Sequence, residues 1–598
     1  MRRLVFFMLC ALLPAGIICA QQLSESECMA ALAGVSSAEE LSEEDQERFA
    51  AYMEHPLRLN MVPLRRLQES GLLTRYQAVS LTDYRTRHGD VLSYSELAAV
   101  DGFGEEFVRI LRPFISLESL RTPGKAKGGQ EIRHDAAVKT GWKSDSDVPE
   151  YGVRYRMDAY ERLYCGLAFS RSSSAETVRP DALSGYLAWY FRKVPGKIVA
   201  GDFNARFGQG LAFWNGMGMS SLSSPSSFLK RASGLSLTSS FTGNYALRGV
   251  AADLDMGPLR LTALVASGKE KATRYLLPAA NLSWYGAKGC IGLTQYAEFR
   301  NDDGSVRIPD MKTSFDMAYC ISGVDLFSEI AFDWVTQSAA MIGGTAFRTG
   351  DDLRLGAMLR FYPAGYSPTR SAAAKSTTKC SNEYAFSFAA DYSAGGWLSV
   401  NGMKGFGSSV RRCVGTFALD AAYFPEPKSS QSSRSVQVKL QTEWKFMISE
   451  SFRADLRLVE RFRTWGDMFK TDFRTDFRWF SGRWNAVLRL NALKCSGWGL
   501  LGYAEGGYVP ESLSIYIRLG LFRIDDWDDR IYVYERNAPG TFSVPSYYGR
   551  GIWGAFTAGW KYARWGKIYA RASLVSYSFM EQKKPGKAEL KLQCMFDF

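Results

Sequence analysis

Segments in which apolar and polar side chains alternate recur from about residue 135 to the end of the chain at residue 598. They follow one another roughly every fifteen to twenty residues and are separated by turn-forming residues. A period of two places apolar side chains on one face of a β-strand and polar side chains on the other. The pattern therefore predicts a strand-rich domain and argues against a helical or α/β domain in this part of the chain.

Charged residues occupy the polar face of two neighbouring segments. In the first segment this face consists of Asp472, Arg474, Asp476 and Arg478. In the second segment Arg489 lies between Leu488 and Leu490. Successive charges are costly in the dry core of a β-sandwich, but in a water-filled lumen they pair with opposite charges on neighbouring strands. We therefore predict a large antiparallel transmembrane β-barrel over residues 135–598, with roughly 22 to 26 strands.

The last predicted strand, Glu589 to Phe598, shows the same alternation. Its apolar face carries Leu590, Leu592, Cys594, Phe596 and Phe598. A final strand that ends in phenylalanine resembles the signal that the barrel-assembly machinery of Gram-negative bacteria reads. The resemblance implies that Phe598 is an assembly signal, that this machinery is a partner, and that outer-membrane lipid surrounds the protein.

The first twenty residues have the layout of a secretory signal peptide. Arg2 and Arg3 precede an apolar stretch that ends at Cys19-Ala20, so the mature chain is expected to begin at Gln21. After this segment the sequence contains no run of 18 apolar residues, so no membrane-spanning helix is predicted. The remaining eight cysteines are scattered, which favours isolated thiols over disulfides or a metal site.

Charge divides the mature chain into two unlike parts. Residues 21–120 contain nine Lys and Arg and seventeen Asp and Glu, a net charge of −8. The whole chain carries +12, and Arg2 and Arg3 supply +2 of it, so residues 121–598 carry +18. Residues 121–134 are rich in glycine and lysine, which predicts a linker. A small acidic domain at 21–120 is therefore expected before a large basic barrel.

The acidic domain is predicted to be helical. Ser36 and Glu39 have the spacing of a capping box, which indicates a helix over residues 36–54. Two helical hairpins are predicted to follow over about residues 57–116. The first turns at Gly71-Leu72, and the second turns before a helix at Glu105 to Leu111.

This doubled unit resembles the tandem helix-hairpin-helix family, which includes the competence-type DNA receptors. The match to the family's turn consists of Val100, Gly102, Phe103 and Gly104, with Gly71 and Leu72 in the first hairpin. In that family the glycines let backbone amides approach a DNA phosphate. The resemblance implies hairpins that contact DNA or a partner, beside a basic face formed by Arg65, Arg66, Arg75, Arg85 and Arg87.

Two features of the domain oppose DNA binding. Glu105 and Glu106 follow the second turn, where the family usually carries a basic or small polar residue. The net charge of −8 also opposes phosphate binding, which dominates non-specific affinity for DNA. We therefore expect the hairpins to pack within the protein or to dock on a protein partner, and DNA contact is the alternative.

The barrel sequence resembles an uncharacterised Gram-negative outer-membrane family with an amino-terminal helix-hairpin-helix module. The matching segments are Gly201-Asp202-Phe203, Phe207 to Leu211, Arg530 to Glu535, Val544-Pro545 and Tyr547 to Gly551. The resemblance implies architecture and a place in the cell outer membrane, without an activity. Two long loops, 216–243 and 366–381, are expected either outside the cell or folded into the pore.

Enzymatic chemistry is not expected, and no cofactor or metal is predicted. The histidines of the chain are His55, His88 and His134. All three lie outside the predicted strands, so a barrel hydrolase would have no histidine base. The turn at Gly208-Gln209-Gly210 lacks the ending of a phosphate-binding loop and is predicted to be a strand-end turn. Glu329 and Glu383 are expected to pair with lumenal arginines or, alternatively, to form a selectivity ring.

Two functions fit these patterns. The first is a non-enzymatic outer-membrane barrel whose acidic periplasmic domain docks on or plugs the barrel, for passage or for envelope assembly, because the two parts carry opposite charge. The second is a DNA-uptake component in which the periplasmic hairpins catch DNA that a basic lumen admits.

Overall fold

The computed structural model describes residues 24–119 and 132–598, apart from short segments of the barrel domain. Those segments are residues 161, 174, 176, 192–193, 217–221, 242–245, 271–272, 287, 303–304, 350–351, 396–411, 428–432, 467–468, 542 and 580–584. The predicted signal peptide and residues 121–131 of the predicted linker lie outside the described residues. Residues 132–134 belong to the first barrel strand, so the barrel begins earlier than the predicted residue 135.

Residues 24–119 form a small helical domain. Its helices are α1 (Glu25–Ala33), α2 (Glu43–Glu54), α3 (Leu64–Glu69), α4 (Arg75–His88), α5 (Tyr94–Ala99) and α6 (Glu105–Leu111). The prediction of one helix over residues 36–54 is wrong in its first part, because Ser42 caps α2. The Ser42 hydroxyl accepts the N–H of Asp45 at 3.1 Å, whereas Ser36 donates to Glu40 beside a short 3₁₀ turn.

Two helical hairpins, α3–α4 and α5–α6, lie where the sequence predicted them. Apolar side chains from both hairpins and from α1 and α2 pack into one core, which includes Phe49, Leu67, Leu72, Phe103 and Phe114. A parallel pairing of Leu57–Arg58 with Ile115–Ser116 joins the two ends of this unit. Membership of the helix-hairpin-helix family stays a prediction.

The remaining chain forms a closed antiparallel barrel of 24 wall strands. The first twelve are β1 (Ile132–Lys143), β2 (Glu150–Ala159), β3 (Leu163–Arg171), β4 (Ala182–Tyr190), β5 (Gly196–Arg206), β6 (Leu247–Met256), β7 (Leu259–Glu270), β8 (Thr273–Gly286), β9 (Gly289–Asp302), β10 (Ser305–Ile321), β11 (Val324–Asp333) and β12 (Ser338–Thr349). The other twelve are β13 (Leu353–Tyr362), β14 (Glu383–Gly395), β15 (Arg412–Phe424), β16 (Ser435–Met447), β17 (Phe452–Arg463), β18 (Phe469–Ser481), β19 (Trp484–Lys494), β20 (Trp498–Tyr508), β21 (Leu513–Ile524), β22 (Gly549–Ala563), β23 (Gly566–Ser576) and β24 (Lys587–Asp597). The strand number lies within the predicted range.

The barrel closes where β24 pairs with β1. Asp597 lies opposite Asp135, and Glu589 lies opposite Lys143. Beyond the ladder, the N–H of His134 donates to the carbonyl of Phe598 at 2.7 Å, and the two rings stack at 5.4 Å. His134 is therefore a strand residue, which corrects the prediction that all histidines lie outside the strands.

The outer surface of the barrel is apolar, as the alternation predicted. Outward side chains that remain exposed include Leu261, Val265, Phe473, Leu488, Leu490, Leu519, Leu521, Leu590 and Leu592. Exposed tryptophans stand near both ends of the strands, with Trp189, Trp484 and Trp560 at one end and Trp142, Trp334 and Trp498 at the other. An apolar belt between two aromatic girdles is the surface of a barrel in an outer membrane.

No helix in the described parts of the chain is both long enough and apolar enough to cross a membrane.

The two ends of the barrel differ in their connections. At the end where β1 begins and β24 ends, ten of the eleven connections are two to five residues long, and the eleventh is 396–411. At the opposite end, three connections are much longer, namely 207–246, 363–382 and 525–548. Described parts of all three bind the inner wall: Gln209 donates its N–H to Glu329 of β11, Ser376 donates its N–H to Glu383 of β14, and Arg536 pairs with Glu505 of β20. Both loops singled out in the sequence therefore fold inward.

The cysteines of the described residues are isolated thiols. All eight, from Cys28 to Cys594, are outside any disulfide among the described residues, and most of them are buried. The expectation of isolated thiols is confirmed for these residues.

Candidate functional site

The helical domain lies inside the barrel and contacts its wall on many sides. Its side chains reach β2, β5 and β6 on one side, β10 and β12 on another, and β17 to β19 and β23 on a third. The inward loops complete the filling, since the amide of Gln46 donates to the Tyr534 hydroxyl of loop 525–548 at 3.2 Å. The filled lumen is the candidate functional site.

Seven glutamates of the helical domain pair with basic side chains of the wall. The pairs are Glu27 with Arg453 and Arg478, Glu39 with Arg489 and Arg474, Glu40 with Arg457, Glu44 with Arg206, Glu47 with Arg154, Glu54 with Lys567, and Glu69 with Lys197. The Oε1–Nη1 distance between Glu39 and Arg489 is 2.5 Å, and that between Glu69 Oε1 and Lys197 Nζ is 2.8 Å. The opposite net charges seen in the sequence thus meet as individual ion pairs.

These pairs change the acidity of the glutamates. Burial alone would raise the pKa of Glu39, but the guanidinium groups of Arg489 and Arg474 outweigh it and hold the pKa well below its usual value. Glu27 behaves in the same way, because Arg453 and Arg478 outweigh the effect of burial on its pKa. Burial and the nearby Glu47 raise the pKa of Glu43, although Lys139 and Lys591 oppose that effect. Glu39 and Glu27 are therefore ionised at neutral pH.

Three arginines predicted to form a basic face instead contact the wall. Arg65 pairs with Asp255 of β6 at 2.5 Å, and Arg75 pairs with Asp316 of β10 at 2.8 Å. Arg66 stacks over Tyr164 of β3 at 4.8 Å and donates to the Tyr190 hydroxyl of β4 at 3.3 Å. All three residues therefore lie at the interface between the helical domain and the barrel wall, at different strands of that wall.

The other two predicted arginines lie apart from this interface. Arg85 donates to the carbonyls of Val62 and Asn60 within the helical domain. Arg87 is exposed and pairs with Asp83 on the same helix at 3.0 Å. Their guanidinium groups therefore bind groups of the helical domain itself, unlike those of Arg65, Arg66 and Arg75.

The turns of the two hairpins differ in what lies against them. Gly71 has φ +65°, and a Cβ atom there would lie 2.8 Å from the guanidinium of Arg48, within the same domain; Leu72 beside it is fully buried. Gly102 and Gly104 also have positive φ, and Phe103 between them is buried. A Cβ atom at Gly104 would lie 2.9 Å from the guanidinium of Arg348 on β12. The second turn therefore faces a basic residue of the wall.

His55 joins the helical domain to the seam between β1 and β24. Its Nε2 atom lies 3.9 Å from Asp135, and its Nδ1 atom lies 3.8 Å from Asp597. The nearby carboxylate of Asp135 raises the pKa of His55, although burial opposes that effect. Sequence reasoning missed this contact, because the signal for it is only a histidine at the end of α2 and an aspartate at the end of each seam strand.

Glu329 of β11 binds the turn that was compared with a phosphate loop. Its carboxylate accepts N–H groups from Gln209 at 2.7 Å, Leu211 at 3.0 Å and Ala212 at 3.0 Å. Gly208 and Gly210 have positive φ, which turns these amides toward one point. The prediction that Glu329 pairs with an arginine is wrong, because backbone amides of loop 207–246 hold it.

Glu383 follows the prediction made for it. Its carboxylate pairs with Arg360 at 2.9 Å, and the same guanidinium binds Asp420 of β15 at 2.7 Å. Ser376 of loop 363–382 donates its N–H to Glu383 and its hydroxyl to Asp420. The cluster fixes an inward loop on the wall, and its members lie on strands β13 to β15 only.

No group of three or more His, Cys, Asp or Glu side chains in the described residues could hold a metal ion. Each histidine contacts a different part of the protein. His55 contacts the seam, the ring of His88 lies 4.8 Å from that of Tyr84, and the ring of His134 stacks on Phe598.

No family model matches the chain, and no curated protein matches it. Among solved structures, it is similar to the siderophore receptor PirA from Pseudomonas aeruginosa, with 10% identity, 79% of this chain and 81% of that chain covered, and a TM-score of 0.40. It is also similar to the copper transporter OprC, with 9% identity, 79% and 81% coverage and a TM-score of 0.39. For the translocation pore of the P pilus usher PapC, the values are 7% identity, 78% and 99% coverage and a TM-score of 0.34.

Proposed function

We propose that the chain is a non-enzymatic outer-membrane barrel whose helical domain plugs the lumen from the periplasmic side and controls the passage of solutes. The observation that carries this proposal is the set of ion pairs between seven glutamates of the helical domain and basic residues of the wall. Charge pairing on many sides favours a domain that is held in the lumen and released as a unit.

The orientation follows from the connections. Short turns at one end and long connections at the other are typical of barrels whose short turns face the periplasm. β1 begins at the short-turn end, and the helical domain precedes β1 in the chain. These features support a periplasmic entry for the helical domain. Phe598 follows β24 at the same end, and we propose that it is the assembly signal for the barrel-assembly machinery. We also propose a periplasmic protein as a partner of the helical domain.

A role in DNA uptake has less support. Arg65, Arg66 and Arg75, which would have formed a basic face, contact Asp255, Tyr164, Tyr190 and Asp316 of the wall. Arg348 of the wall lies against the turn at Gly104, where the resemblance would place a DNA phosphate.

Conductance of the full chain in planar lipid bilayers tests the plug. We expect the wild-type protein to conduct weakly and the Glu39→Arg variant to conduct severalfold more, because like charges then face Arg489 and Arg474. Glu96→Arg is the matched control, since Glu96 bonds Tyr84 of its own domain. Folding of each variant is checked by heat-modifiable migration. If Glu39→Arg and Glu96→Arg both conduct like the wild type, the helical domain does not control passage.

A further inference from the structure

Two cavities lie along one sector of the barrel, between the helical domain, the inward loops and strands β1 to β4. The larger has a volume of about 1240 Å³ and lies toward the end where β1 begins. On these strands it is lined by His134, Arg156, Tyr164 and Tyr186. The smaller has a volume of about 400 Å³ and lies toward the opposite end. The same four strands line it with Lys139, Glu150, Ser170 and Ala182. The two cavities therefore follow one line through the barrel.

A short segment of loop 207–246 separates the cavities. Ser239 accepts a hydrogen bond from Arg156 of β2 at 3.0 Å. The carbonyl of Ser240 accepts from the hydroxyl of Ser184 on β4 at 2.9 Å, and the carbonyl of Phe241 accepts from the hydroxyl of Ser170 on β3. Residues 239–241 are thus fixed to the inner wall between the two spaces.

The ring of Phe241 forms the narrow point. Nζ of Lys139 lies 4.1 Å from the ring centroid, and the guanidinium of Arg154 lies 5.1 Å from it. On the side of the helical domain, Glu47 accepts the N–H of Phe241 at 3.4 Å. The Phe241 ring lies against two cations, its backbone N–H is held by Glu47, and the ring closes the line between the cavities.

Arg154, one of the two cations at this point, has N–H donors that no described residue accepts. Arg154 is 4% exposed, and its Nε and Nη1 atoms have no hydrogen-bond partner among the described residues. Its Nη1 atom lies 3.7 Å from Glu47, which is an ion pair without a hydrogen bond. A buried guanidinium with free donors is a site for carboxylate or phosphate oxygens, which accept its N–H groups in pairs.

We propose that small solutes carrying a carboxylate or a phosphate cross the barrel along this sector, with Phe241 as the constriction and Arg154 and Lys139 as the anion-binding step. This rests on the proposed function in passage and adds a route and a substrate class. An anion in the 400 Å³ cavity meets Lys139 before it passes Phe241, since Lys139 lines that cavity, together with Arg171, Arg571 and Lys591, and also contacts the Phe241 ring. It then displaces Glu47 from Arg154 and leaves through the larger cavity, which Glu47 lines.

Bilayer conductance of ring variants tests the route. We expect Phe241→Ala to raise the conductance of the full chain severalfold and Phe241→Trp to lower it below the wild-type value. Phe228→Ala is the matched control, because Phe228 belongs to the same loop and is equally buried, but packs against Gly356 of β13 across the barrel. Heat-modifiable migration shows whether each variant has folded, and the tryptophan variant keeps an aromatic ring in place if the alanine variant does not fold.

The reversal potential in a potassium acetate gradient tests the chemistry. We expect the Phe241→Ala protein to prefer acetate over potassium, and this preference to fall when Arg154→Gln or Lys139→Gln is added. Arg523→Gln is the control, since Arg523 is exposed at the rim of β21 and pairs with Asp525. Phosphate in place of acetate distinguishes the two classes of anion.

The outcomes separate this inference from the plug. If Glu39→Arg conducts but Phe241→Ala conducts like the wild type, the plug stands and the route is overturned. If Phe228→Ala opens the protein as much as Phe241→Ala, the sector is not a specific route. If neither Glu39→Arg nor Phe241→Ala conducts, passage itself is contradicted. If the Phe241→Ala protein prefers potassium over acetate, and adding Arg154→Gln does not change that preference, the anion-binding step is overturned.

Discussion

Glu39 of the helical domain and Arg489 of β19 form an ion pair of 2.5 Å inside the barrel. Arg489 also binds both carboxylate oxygens of Asp476, which lies directly opposite it on β18, at 2.6 and 2.8 Å. One guanidinium therefore holds two strands together and attaches the helical domain to them.

Replacement of Arg489 by methionine should destabilise the folded protein. Glu39 would retain Arg474 at 3.3 Å, and Asp476 would retain Arg474 at 3.9 Å and Arg478 at 3.4 Å. Removing one partner of a buried ion pair costs on the order of 3 kcal/mol, because a carboxylate remains buried with less compensation. The temperature at which the heat-modifiable form is lost in a gel series should fall. Arg523→Met should leave that temperature unchanged, because this side chain is 63% exposed. Equal temperatures for both variants would contradict the role of Arg489.

The attachment of the helical domain should weaken in acid and remain constant near neutral pH. The pKa of Glu39 and Glu27 is held well below 4.5 in the folded state, so their contribution is complete above the unfolded value. It is lost only as the pH falls below 4.5 toward the lowered folded pKa. Limited proteolysis of the helical domain from pH 7 to pH 3 measures this, and Glu39→Gln should make cleavage less dependent on acid.

Ionisation of Glu43 should have the opposite effect on the stability of the folded helical domain. Burial and Glu47 raise its pKa, so its ionised form opposes the folded state above pH 4.5. Glu43→Gln should therefore slow proteolysis of the helical domain at pH 7, whereas Glu39→Gln should accelerate it. If both substitutions accelerate proteolysis equally, the two glutamates do not differ as described.

The alternating segments were sufficient to predict the barrel. Within each strand, apolar residues mark the outward face and polar residues mark the face toward the lumen. Phe473 and Leu488 face outward, while Asp476 and Arg489 face the lumen and pair across neighbouring strands. The charge difference between the two parts of the chain also predicted their association. These features are local or compositional, so they can be read without knowing which residues meet.

Contacts between distant segments could not be predicted in the same way. Glu329 was expected to pair with an arginine, but it binds amides of residues 209–212, more than a hundred positions earlier. The signal was present in Gly208-Gln209-Gly210, whose two glycines turn successive amides toward one anion, but nothing in the sequence names that anion. The helix boundary at Ser42 was missed because Ser36 and Glu39 also have capping spacing, and Glu39 is used to bind the wall instead.

His55 should make the seam contact depend on pH in the neutral range. Its pKa is raised in the folded state by Asp135 and Asp597, so its contribution is complete below the ordinary value of 6.5. The contribution is lost as the pH rises through the raised value. Hydrogen exchange at the end of α2 should therefore quicken between pH 6 and pH 8 beyond the intrinsic rate. His55→Gln should remove this extra change. His88→Gln, at a histidine that stacks on Tyr84 of its own helix, should leave it intact.

The full chain should not bind DNA with the strength of a dedicated receptor. Non-specific binding depends on phosphate neutralisation by free cations, and Arg65, Arg66 and Arg75 already contact the barrel wall. Double-stranded DNA titrated at low salt should give no saturable signal, and Arg75→Gln should not change that result. The double variant with Glu105→Lys and Glu106→Lys is the informative comparison, since it places basic residues after the second turn, where the helix-hairpin-helix family usually carries a basic or small polar residue. Micromolar binding by the wild-type chain that weakens steeply with salt would overturn the plug as the main role of the hairpins and favour DNA uptake.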